Sequence, residues 1–139
     1  MVILFAIIYI SPRFITNKIG EFQLVMNEFV KNEENALWIY KEDLSHFPDE
    51  KIQTLIDRLD NEGILLWDKN IELLESLKDL PPFLQERVDI LNEYCQLRKE
   101  SFKLIKLLLL NNSSDVQNKL LEINKKIALK LNDLQKLNE

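Results

Sequence analysis

Glycine and proline are scarce in this chain, with two Gly and four Pro in 139 residues. Two isolated glycines cannot build a phosphate-cradling loop, and no serine sits in a Gly-x-Ser-x-Gly turn. The single histidine, His46, cannot supply the Glu-x-x-His repeats or paired histidines of a helix-built metal site. The single cysteine, Cys95, excludes an internal disulfide. Its mid-helix position, away from a base or a helix N-terminus, reads as a small core residue and not as a nucleophile. Positive charge is also in deficit: 18 Lys and Arg against 23 Asp and Glu give a net charge of −5. That balance argues against nucleic-acid binding. Lys119, Lys125, Lys126, Lys130 and Lys136 make the last helix locally basic, and Asp115, Glu122, Asp133 and Glu139 dilute them. Carboxylates such as Asp57, Asp60, Glu72, Glu75 and Asp79 fall at helical spacing and read as solvated faces. A hydrolase built on them would need two acids converging in a cleft. No catalytic residue, cofactor-binding residue or metal ligand is nominated, so the expectation is a non-catalytic protein without a cofactor.

What the chain does have is helix-forming composition: 46% hydrophobic and 29% charged residues, rich in Leu, Ile, Lys, Glu and Asn. The strongest pattern is a helical hairpin from about Phe83 to Leu137, turning at Asn111-Asn112-Ser113-Ser114. On its first arm Leu84, Val88, Leu91, Cys95, Phe102, Ile105 and Leu109 recur at alternating spacings of four and three, interrupted by Arg98. On the second arm the series is Val116, Leu120, Ile123, Ile127, Leu131, Leu134 and Leu137. This is the spacing of a coiled-coil seam, and each stripe must bury itself on something. A short polar link makes the arms antiparallel neighbours. Arg98 either snorkels from the seam with its stem packed or pairs with an acid of another helix.

Ahead of the hairpin, Ser11-Pro12 reads as an N-cap with Pro at the first helical position. Ile15, Ile19, Phe22, Met26 and Phe29 carry that helix to about Asn35, and Ala36 to Tyr40 extends it or forms a separate turn. Trp38 and Tyr40 are expected to close one end of the bundle. Ser45 to Glu50 reads as the start of a helix running to Asp60, with Ile52, Leu55, Ile56 and Leu59 on one side. Gly63 is expected to end it in a left-handed conformation. A further helix spans Ile64 to Leu80 with Leu65, Leu66, Ile71, Leu74 and Leu77 apolar, and Pro81-Pro82 stops it. The fold class is therefore all-α, a bundle of about five helices over 11–139, with the hairpin packed on Ser11 to Asn35 and on the two short middle helices.

Residues Val2 to Ile10 are nine consecutive apolar residues. A membrane span needs about 20, and the run lacks the leading positive charge and small cleavage-site residues of a signal peptide. It reads as a core element, as a weak anchor, or as the end of a longer transmembrane helix. Arg13 and Lys18 follow it, which would place the helical domain on the cytoplasmic side.

The stretch Ile64 to Lys106 carries Trp67-Asp68-Lys69-Asn70, then Leu80-Pro81, then Glu93-Tyr94-Cys95-Gln96-Leu97-Arg98 and Ser101-Phe102-Lys103-Leu104-Ile105. This order resembles the helical tail that follows the last transmembrane segment in bacterial rhomboid-family membrane proteins. The resemblance implies that Ile7-Ile8-Tyr9-Ile10-Ser11-Pro12-Arg13 is the exit of a final membrane helix. It brings no catalytic residue, because the family's Ser-His dyad has no counterpart here. Two functions follow as expectations. The first is a non-catalytic, membrane-proximal helical domain that binds a protein partner or itself through its helical seams, with membrane contact through Val2 to Ile10. The second is a free-standing cytoplasmic bundle that regulates or inhibits a partner.

Overall fold

The computed structural model describes residues 11–44 and 47–138. The apolar run Val2 to Ile10, Ser45, His46 and Glu139 lie outside the described residues. Among those described the chain is all-α: α1 (Pro12–Ala36), a 3-10 turn (Leu37–Lys41), α2 (Asp49–Leu59), α3 (Leu65–Glu75), α4 (Pro82–Leu110) and α5 (Ser114–Leu137). Proline opens α1 and α4 at their first positions, where a missing N–H costs no hydrogen bond. Ser11 stands at the N-cap of α1, but its hydroxyl makes no capping bond. At α5 the Ser113 hydroxyl does cap, accepting from the Val116 N–H at 3.2 Å.

The core forms where α3 is enclosed between α1 and α4. Helix α3 runs antiparallel to α1, since Lys18 Nζ donates to the Lys78 carbonyl and Asn32 pairs with Asn70 farther along. Trp67 of α3 is completely buried, with Tyr94 and Phe102 of α4 edge-on to it at 5.7 and 6.0 Å between centroids. The hairpin therefore rests directly on α2 and α3. Helix α1 lies mainly on α3 and reaches the hairpin at Glu33, whose carboxylate accepts from the Tyr94 hydroxyl.

Three expectations need correction. Gly63 does not terminate α2 with a positive φ; no described glycine has one. The backbone passes from α2 into α3 through a π turn at Asp60–Ile64, kinked at Glu62. Glycine is required there by packing, because a Cβ on Gly63 would stand 2.7 Å from the buried Phe102 ring. Trp38 stabilises the kink by donating its indole N–H to the Glu62 carbonyl at 2.9 Å. Second, α3 stops at Glu75 instead of Leu80, and the left-handed residue before the double proline is Asp79, with φ 53°. Third, Leu131 of the α5 stripe and Leu65 of the α3 stripe are exposed, as is Tyr40 of the expected aromatic cap. Helix α5 packs chiefly on α4, so its covered stripe is narrow: Ile123 and Ile127 buried, Val116, Leu120 and Leu134 partly so.

Candidate interaction surface

Helix α4 is covered on two sides, which makes its buried face wider than one heptad stripe. Leu84, Val88, Leu91, Cys95, Phe102 and Ile105 are buried as the spacing predicts. Ser101 and Leu104 are buried besides, where α5 covers the adjoining side, and Tyr94 is buried against Trp67 of α3. The polar interior is concentrated beside this wide face. Arg98 resolves neither as a free snorkelling side chain nor as a direct partner of an acid. Its Nε donates to the Tyr94 hydroxyl at 3.1 Å and its Nη1 to the Tyr40 hydroxyl at 3.1 Å. Tyr94 in turn donates to Glu33 Oε2 at 2.6 Å. The guanidinium also lies over both tyrosine rings. The network links α1, the 3-10 turn and α4, and every group in it is engaged with another side chain.

Burial, aided by the bond to Glu33, pushes the Tyr94 phenol far above its usual range. Burial likewise pushes up the Cys95 thiol, and the nearby Glu33 charge adds to it. A thiol held protonated in the core is a poor nucleophile. The second polar link is buried entirely: Asn32 Nδ2 donates to Asn70 Oδ1 at 3.0 Å, and Asn70 Nδ2 donates to the Phe29 carbonyl at 3.1 Å. Of the acids weighed in the sequence, Asp57, Glu72, Glu75 and Asp79 are exposed, and Asp60 binds Lys106 at 2.9 Å. They do not converge. Among the described residues no group of His, Cys, Asp and Glu could hold a metal ion, and no helix is long and apolar enough to cross a membrane.

The surface feature that does stand out lies on the hairpin, on the side away from Trp67. There a groove of about 470 Å³ runs between α4 and α5. Its apolar part is Leu97 and Leu129, the latter 63% exposed, with Leu107 also exposed farther along α4. Glu93 and Lys130 bridge it as an ion pair. That carboxylate raises the Lys130 ammonium above its usual value by accepting its hydrogen bond. Sequence periodicity found the buried stripes of both arms but not this surface. Leu129 fits neither stripe, and an exposed leucine in a sequence is indistinguishable from one covered by a neighbour.

The fold and this surface define an all-α helical bundle with an open flank on its terminal hairpin. Compared with protein families, with curated proteins and with solved structures, the chain matches none.

Proposed function

We propose that the chain is a non-catalytic helical domain that binds another protein through the outer flank of its α4–α5 hairpin. The observation that carries this reading is the groove between α4 and α5, where half-buried Leu97 and exposed Leu129 lie between charged side chains, with Leu107 exposed farther along α4. Apolar centres with polar rims are what protein interfaces present. A finer reading places the domain at the cytoplasmic face of a membrane, tethered by Val2 to Ile10, as the tail of a rhomboid-like protein. Its support is the apolar run, Arg13 and Lys18 after it, and the Trp67 to Ile105 resemblance.

The test compares wild type with Leu129→Glu in native-host cells, extracted in mild detergent and sized by gel filtration with immunoblotting. The wild-type chain is expected in a complex that the variant leaves, with helix content unchanged because Leu129 is exposed. Identical elution of the two would contradict the interaction reading.

A further inference from the structure

The outer flank of the hairpin carries opposite charges at matched heights, most of which do not meet within the chain. The register of the two arms is set by Arg87 to Asn138 at 2.7 Å, by the Glu93–Lys130 pair and by Ser101 to Asn124 at 3.5 Å. In that register Asp89 stands level with Lys136, Glu100 with Lys126 and Lys103 with Glu122. Rising along α4, Asp89, Glu93, Glu100 and Lys103 therefore run acid, acid, acid, base, and the facing heights of α5 carry the bases Lys136, Lys130 and Lys126 and then Glu122, with the acid Asp133 set between Lys136 and Lys130 on the groove wall. Even the reversal at Lys103 is matched. Yet among the described residues only Glu93 and Lys130 of these side chains form an ion pair within the chain. Leu97, half-buried, and Leu129, exposed, line the groove between the two walls.

We propose that this flank pairs with the same flank of a second copy, about a two-fold axis parallel to the hairpin. That axis sets each α4 against the partner's α5, antiparallel and at equal height. Each acidic wall then faces a basic wall, Lys103 faces the partner's Glu122, and the leucines close a seam between the four helices. An axis perpendicular to the hairpin would instead set α4 on α4 and acid on acid. Charge complementarity selects the first arrangement, an antiparallel four-helix grouping of α4, α5 and their symmetry mates. The inference rests on the interaction reading above and names its partner.

Sedimentation equilibrium of the full chain in density-matched mild detergent tests it with two charge-reversed variants. One carries Asp89→Lys and Glu100→Lys; the other carries Lys126→Glu and Lys136→Glu. All four positions are exposed, so both variants should keep the helical circular dichroism of wild type. Wild type is expected at twice 16.5 kDa. Each variant alone should dissociate about 100-fold more readily, since each puts like charges on facing walls. An equimolar mixture should restore the dimer, because each reversed wall then faces an opposite one. Leu24→Glu, on α1 and away from the hairpin flank, should leave wild-type mass unchanged. A wild-type chain of 16.5 kDa throughout, a dimer indifferent to both variants, or a mixture that stays monomeric overturns the proposal. If the purified chain is monomeric while Leu129→Glu still empties the cellular complex, self-pairing falls and binding to a different protein stands. If neither effect appears, both fall.

Discussion

Asn70 is wholly buried, and both ends of its amide are used: Oδ1 accepts from Asn32 and Nδ2 donates to the Phe29 carbonyl. Replacing it with leucine keeps the volume but strands the Asn32 amide in the core. Asn70→Leu should therefore cost about 1–3 kcal/mol in urea denaturation, the cost of an unsatisfied buried polar group. Changing both asparagines to leucine should recover most of that loss; an equal or larger loss would show that the pair is not the reason for the cost. Tyr94 and Cys95 act through protons. Both are held protonated in the folded chain, so the unfolded chain releases their protons first as pH rises. Their stabilising effect is complete below the ordinary thiol and phenol range, roughly 8.5 to 10, and is lost progressively above it. Urea midpoints should fall over this alkaline range, with a slope of up to about 1.4 kcal/mol per pH unit per group. Tyr94→Phe should flatten the upper part of that fall. A wild-type midpoint that does not move would contradict the burial of these groups.

The helices were legible in the sequence because their causes are local. The spacing of Leu84 to Leu109, the prolines at Pro12 and Pro82, and the polar turn Asn111 to Ser114 each act within a few residues. The joint between α2 and α3 was not legible. Asn61-Glu62-Gly63 has the composition of a helix stop, and only Phe102, far along the chain, turns it into a packed π turn. Gly63→Ala separates the two explanations. A helix stop in left-handed geometry would be strained by alanine through its φ, whereas here the added methyl collides with a buried ring. The expected loss is about 1–3 kcal/mol, as for overpacking a core. Gly63→Ala with Phe102→Leu should lose less than the sum of the two single changes, because the shortened side chain vacates the space. Strict additivity in chemical denaturation would contradict the contact. Arg98 was legible as an anomaly, but its partners were not. Tyr40 lies 58 residues away in sequence, and the acid it reaches, Glu33, is met through the Tyr94 hydroxyl.

Across the whole molecule, one long helix serves two layers. Helix α4 gives one side to Trp67 and the middle helices and another to α5, and the hairpin keeps a third side open. The all-α class was readable from composition and period. The open flank was not, because it depends on which of several leucine-bearing faces the other helices leave uncovered. That distinction gives the most direct test of the interaction account. A photo-crosslinking residue is placed in turn at Leu129, at Leu107 and at Leu24, the last on α1 and 73% exposed. Each full chain is then irradiated in native-host cells. The account predicts discrete crosslinked products from positions 129 and 107 and none from position 24. Products from Leu24 alone, or none from any of the three, would contradict the assignment of binding to the hairpin flank.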